Sequence, residues 1–176
     1  MTPLVGSQKF IIKPAEYNNV LAILTNMRAP DKTEILATEY DDDLGRIAHK
    51  FSRHCELAWV FCLPGGKPVA FLGGTRLWPH FAQVGFVATD DWVQIAVPIS
   101  RWLKKNGTKL LNHFLVNNVI CFAEGNHYQS QKWLCWLGFR PQCMLSHAGA
   151  KGENLHIYTL NKKEDKENGK YNPNAA

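Results

Sequence analysis

The chain has 176 residues, 45% of them hydrophobic, and a formal charge of +5, which suits one hydrophobic core and leaves too little for a second. No apolar run approaches the about 20 residues that cross a bilayer, and the first six residues lack the basic start and apolar centre of a signal peptide, so a soluble, cytoplasmic protein is expected. The basic residues are scattered rather than interleaved with aromatics in a stripe, which argues against nucleic acid as a partner.

In chain order, residues 10–14 read as a short apolar strand stopped by Pro14. Val20, Leu21, Leu24 and Met27 then share one face of a helix over residues 17–27, which Pro30 is expected to end. A second helix is expected from Asp42 or Asp43 as its cap, with Leu44, Ile47, Ala48 and Phe51 turned inward. Residues 57–62 and 69–72 are apolar strands joined by Pro64-Gly65-Gly66-Lys67, a tight-turn signature, and residues 81–87 add a third strand to make an antiparallel meander. Gly73-Gly74 is expected to bend or bulge the middle strand. The main helix should start at Pro98, where a missing N–H is harmless, and turn Ile99, Trp102, Leu103, Leu110 and Phe114 inward. Asn106-Gly107 weakens its middle by roughly 1 kcal/mol.

Residues 119–124, rich in β-branched and aromatic types, read as a buried strand broken by Gly125-Asn126. From Ser130, taken as the cap, Trp133, Leu134, Trp136 and Leu137 recur at helical spacing, and Gly138 sits where a left-handed residue would end the helix. Residues 143–147 and 155–160 close the domain as a hairpin. One domain over residues 1–161 is expected, followed by a polar, disordered tail at 162–176.

The five cysteines are odd in number and contain no CxxC pair, which suits buried thiols in a reducing compartment. Cys55 beside His54 is a poor catalytic pair, because neighbours on a helix end rarely face each other. His49 and His54 are five apart and no His-x-x-x-His pair occurs, so no metal is expected.

The run of strand, turn and helix that closes on Leu137-Gly138-Phe139, together with the whole element order, resembles the GNAT superfamily of N-acetyltransferases. The resemblance implies an α/β (α+β) fold: a mixed, mostly antiparallel sheet of six to seven strands with splayed central strands, flanked by about four helices. It also implies acetyl-CoA as cofactor, held where the fourth and fifth strands diverge, with its pyrophosphate on backbone N–H groups at the start of the next helix. The family's Arg/Gln-x-x-Gly-x-Gly/Ala signature is replaced here by the glycine-free stretch that runs from Ala88 to Pro98. Phe86, Val87, Ala88, Thr89, Asn126 and Ser130 are the expected cofactor contacts, although Thr89 or a neighbouring Asp also suits a plain helix cap.

Acyl transfer to an amine needs a base and an acid. The family's Tyr, four residues before the glycine of the triplet, is Leu134 here, and its strand Glu is nearest to Gln83. Glu124, His127 and Tyr128 are the candidate catalytic substitutes, with His80 a further candidate for the same cleft. Phe86-Val87-Ala88-Thr89-Asp90, Gly125-Asn126 and the Leu-Gly element are also similar to a subgroup of small GNAT-like proteins of short-tailed bacteriophages, including an internal virion protein. Two functions therefore compete: an acyl-CoA-dependent N-acyltransferase with an amine-bearing substrate, and a catalytically silent fold with a structural role and a virion or host protein as partner. The second would work in the host cytoplasm or the virion.

Overall fold

The computed structural model describes residues 9–113 and 115–162; the expected tail at 163–176 and the inward Phe114 lie outside them. A seven-stranded sheet runs in the order β1-β2-β3-β4-β5-β7-β6. Its strands are β1 (Ile11–Pro14), β2 (Leu57–Cys62), β3 (Pro68–Trp78), β4 (Phe81–Ala88), β5 (Asn118–Glu124), β6 (Arg140–Leu145) and β7 (Leu155–Asn161). Every pairing is antiparallel except β4 with β5.

That parallel pairing is short. It covers only Phe81 with Asn118, Ala82 with Val119 and Gln83 with Ile120, after which the two strands diverge although both continue. The expected splay of the central strands is present, and the fold has the class the sequence implied.

Helices cover both faces. On one lie α1 (Tyr17–Thr25), α2 (Ala29–Ala37) and α3 (Leu44–His54); on the other lie α4 (Ala96–His113) and α5 (Tyr128–Leu137). Val20, Ile23 and Leu24, spaced i, i+3, i+4, bury one face of α1 against Val60, Phe71 and Val87. The alternate residue Phe61 points through to the other face and meets Trp102, with ring centroids 6.0 Å apart, while Ile99 and Leu103 pack in the same core. The side-chain period of two along β2 thus feeds two separate cores.

Several expectations need correction. Three helices, not two, lie between β1 and β2, because Pro30 does not end a helix: α1 stops at Thr25, and Pro30 sits in the first turn of α2, where its absent N–H leaves nothing unpaired. Gly73 and Gly74 pair continuously with Ala58 and Leu57, and the irregularities of β3 fall instead at Val69, opposite the Phe61–Cys62 step, and between Arg76 and Trp78. Gly73 answers to crowding, since a Cβ there would lie 2.7 Å from the Phe71 ring and 3.1 Å from the Cys55 sulfur. Ser130 is inside α5, whose N-cap is His127. The main helix starts at Ala96, two residues before Pro98. Thiol burial is also uneven: Cys62 and Cys121 are buried, whereas Cys135 and Cys143 are exposed.

Asp43 does cap α3, accepting from the Gly45 and Arg46 amides at 2.9 and 3.1 Å. Gly138 ends α5 at φ 109°, with the Phe139 amide donating back to Leu134 O at 3.0 Å in a Schellman-type closure. Because an L side chain resists that backbone region, Gly138→Ala should lower unfolding free energy by about 1–2 kcal/mol. Gly107 faces open space inside α4, so Gly107→Ala should raise it by up to about 1 kcal/mol. Urea unfolding of both variants would read these opposite signs.

Candidate functional site

Where β4 and β5 part, each presents backbone groups that no neighbouring strand can satisfy, and buried N–H and C=O groups require partners. The chain supplies them from α2 and the residue before it. The Arg28 amide donates to Ala88 O at 3.0 Å, and the Ala88 amide donates to Asp31 Oδ2 at 2.7 Å. Met27 forms an antiparallel bridge with Thr89. Across the gap, the Glu124 amide donates to Glu34 Oε2 at 3.0 Å. Asp31 and Glu34 are three residues apart on α2, so one helix face carries both carboxylates into the wedge.

Two cations complete the cluster. Arg28 Nη2 donates to both oxygens of Asp31 at 2.7 and 2.9 Å. His127 Nδ1 lies 3.0 Å from Glu34 Oε2, and its Nε2 lies 3.6 Å from Asp31 Oδ1, too far for a hydrogen bond. Both His127 Nε2 and Arg28 Nε are buried without a hydrogen-bond partner. Burial by itself would lower the imidazole pKa, but the Glu34 hydrogen bond and the charges of Glu34 and Asp31 outweigh it and raise the pKa above 6.5. Cys121, buried nearby, is pushed far up by desolvation and then by Glu34, so it remains a neutral thiol.

A cavity opens on each face of the sheet at the divergence. On the side of α1 to α3, about 260 Å³ is bounded by Glu34, Phe51, Cys55, Phe71, Gln83 and Phe122. On the side of α4 and α5, about 580 Å³ is bounded by Arg28, Phe86, Trp92, Cys121, His127 and Trp133. Phe86 and Glu34 border both cavities.

The expected site residues are distributed unevenly around this geometry. Glu124 is buried, with its carboxylate folded onto its own turn, accepting from the Asn126 amide at 2.9 Å and from Asn126 Nδ2 at 3.2 Å. His127 is buried within the α2 cluster, whereas Tyr128 is 63% exposed. Phe86 and Ser130 border the larger cavity; Val87 is buried and borders the smaller one. Ala88 is engaged by α2 as described, and Thr89 Oγ1 donates to Val69 O at 3.4 Å, making no cap bond. Leu134 is buried on β5 with Cys121, Ala123 and Tyr158. His80 lies in the β3–β4 turn at the far end of β4, where its carbonyl accepts from the Asn117 and Asn118 amides. Sequence reasoning missed Arg28, Asp31 and Glu34 altogether. The available signal was Pro30-Asp31, a proline and an acid in sequence positions that begin helices as readily as proline ends them.

Residues 90–98 do not fit a pyrophosphate. A 3-10 turn, Asp90–Gln94, precedes α4, and Pro98 removes an N–H from the first turn of that helix. Asp90 and Asp91 add negative charge; Asp91 is paired with Lys67, whose hydrogen bond holds its carboxyl below the usual range. Val93 and Val97 present exposed apolar side chains where polar donors would be needed. Among the described residues no cluster of three or more His, Cys, Asp or Glu could hold a metal ion, and no helix is long and apolar enough to cross a membrane.

No protein-family model matches the sequence, and no curated protein matches it. Solved structures do. Ard1 from Thermoplasma volcanium superposes with a TM-score of 0.70 at 15% identity, covering 89% of this chain and 99% of that one. A GNAT-family acetyltransferase from Bacillus anthracis gives 0.66 at 14%, covering 89% and 96%. The Salmonella typhimurium protein yncA, solved with its cofactor acetyl-CoA, gives 0.65 at 15%, covering 96% and 99%. The chain therefore has the GNAT fold, and at these identities the likeness establishes the fold alone.

Two outcomes test the cluster. Asp31→Ala leaves the half-buried Arg28 unpaired and the buried Ala88 amide without an acceptor, and should cost about 3 kcal/mol in chemical denaturation. Asp31→Asn keeps an acceptor and should cost less. Because folding raises the His127 pKa, its stabilising contribution is complete below pH 6.5 and fades as the pH rises through the folded value. The urea midpoint of the wild type should fall between about pH 5.5 and about pH 9 by more than that of His127→Gln.

Proposed function

We propose that this protein uses the GNAT fold as a catalytically silent scaffold that binds a partner or ligand, rather than as an ordinary acyl-CoA-dependent N-acyltransferase. The observation that carries this reading is the engagement of Ala88 by Arg28 and Asp31. The edge of β4 that would have to receive an acyl donor is already hydrogen-bonded to the chain's own backbone and carboxylate. The glycine-free start of α4, with Pro98 in its first turn and Asp90 and Asp91 before it, supports the same conclusion. The structural or host-interaction role implied by the bacteriophage resemblance is one form of this function.

Acyl transfer to an amine is the second reading, favoured by the two cavities that approach each other from opposite faces at Phe86 and Glu34. It requires Arg28 and Asp31 to release β4, breaking a buried ion pair and two hydrogen bonds.

Isothermal titration separates the two. The silent reading expects no heat from acetyl-CoA or coenzyme A up to millimolar concentration, and no acetylation of polyamine or peptide amines. Saturable micromolar binding, with turnover lost in Glu124→Gln or His127→Ala, would overturn it and establish the transferase.

A further inference from the structure

The larger cavity combines an aromatic wall with positive charge at its rim. Its walls are carbon-rich. Trp92 meets Phe86 and Trp133 edge to face, and Phe86 and Trp133 are tilted against each other, with centroids 4.9 to 5.8 Å apart; the one polar side-chain atom of Trp133 donates to Ser100 Oγ at 2.8 Å. Val93, Val97 and Trp136 extend the apolar surface outward as large exposed side chains, the last with the Lys104 ammonium over its ring.

The charges that border the same cavity are balanced in its depth, where Arg28 pairs with Asp31 and His127 with Glu34, and positive at its rim. The first turns of α4, at Ala96 and Val97, and of α5, at Gln129 and Ser130, both border it, so two helix N-termini converge there. Arg101 borders it as an exposed cation, with no ion pair or hydrogen bond among the described residues. Deeper in, the buried His127 leaves Nε2 without a hydrogen-bond partner. Arg28, by contrast, is neutralised by Asp31.

We propose that this cavity binds an amphiphilic monocarboxylate, with its apolar tail among Phe86, Trp92, Trp133 and Leu134 and its carboxylate at Arg101 and the α5 N-terminus. Arg101 and the Lys104 ammonium, 4.1 Å from the Trp136 ring centroid, leave positive charge at the rim, which suits a carboxylate there. A phosphate or pyrophosphate is disfavoured by Pro98 and by the carboxylates of Asp90 and Asp91. The proposal rests on the silent-scaffold reading, because an acyl-CoA would claim the same space.

Three tryptophans at the site provide the signal. Titrating the full chain with decanoate, below its micelle concentration, should change tryptophan fluorescence saturably with one site per chain. Decanol, with the same tail and no charge, should bind roughly tenfold more weakly. Arg101→Gln, a surface change that leaves the core intact, should remove most of that difference without altering decanol binding. Ser130→Glu, which sets a negative charge at the α5 N-terminus, should weaken decanoate selectively. Absence of saturable decanoate binding, equal binding of the alcohol, or indifference to Arg101→Gln would overturn the proposal. Acetyl-CoA that binds and displaces decanoate would instead overturn the silent-scaffold reading, so the two failures are distinguishable.

Discussion

The parallel pairing of β4 and β5 lasts for three residue pairs, and everything else at the centre of this protein follows from what happens to the strand edges after it stops. Backbone amides exposed inside a folded domain must find acceptors. Here Ala88 and Glu124, on opposite lips of the opening, find them in Asp31 and Glu34 of one helix. The splay is thereby held open and filled at once, by carboxylates that accept charge-assisted hydrogen bonds from the backbone.

Burying two carboxylates carries a large desolvation cost unless the surrounding charges close the account. Arg28 does this for Asp31, and His127 packs against both carboxylates between the two cores. The arrangement explains why the pKa of His127, the residue before α5, is raised despite its burial. It also explains why Glu124, the carboxylate expected to do chemistry, is turned instead onto the Asn126 amide as a local brace. The same helix thus sets the strand geometry, the protonation of the histidine and the division between the two cavities.

Local signals were legible where one residue type answers one backbone need. Gly138 at positive φ, Asp43 as a cap and the Pro-Gly-Gly turn between β2 and β3 each stand where the residue pattern put them. Pro30 was misread because proline is compatible both with the residue after a helix and with the first turn of one, and nothing local separates the two. Gly73-Gly74 was misread as a bulge because the reason for Gly73 lies in Phe71 and Cys55, and the latter belongs to the end of a different element. Thr89 stands at the N-cap of the 3-10 turn, although its hydroxyl bonds across to Val69, whereas Ser130 falls a turn too late to cap α5.

By itself the sequence determined the succession of strands along the chain and nearly all of its helices, since side-chain period and turn chemistry are properties of neighbours; the mixed sheet was implied by the likeness of that succession to the GNAT superfamily. It also determined that no glycine lies between Ala88 and Pro98. Only the tertiary structure decided what occupies the divergence of β4 and β5. The partners there, Asp31 with Ala88 and Glu34 with Glu124 and His127, are separated by 57 to 93 residues, and no periodicity along a chain encodes a hydrogen bond across such a distance.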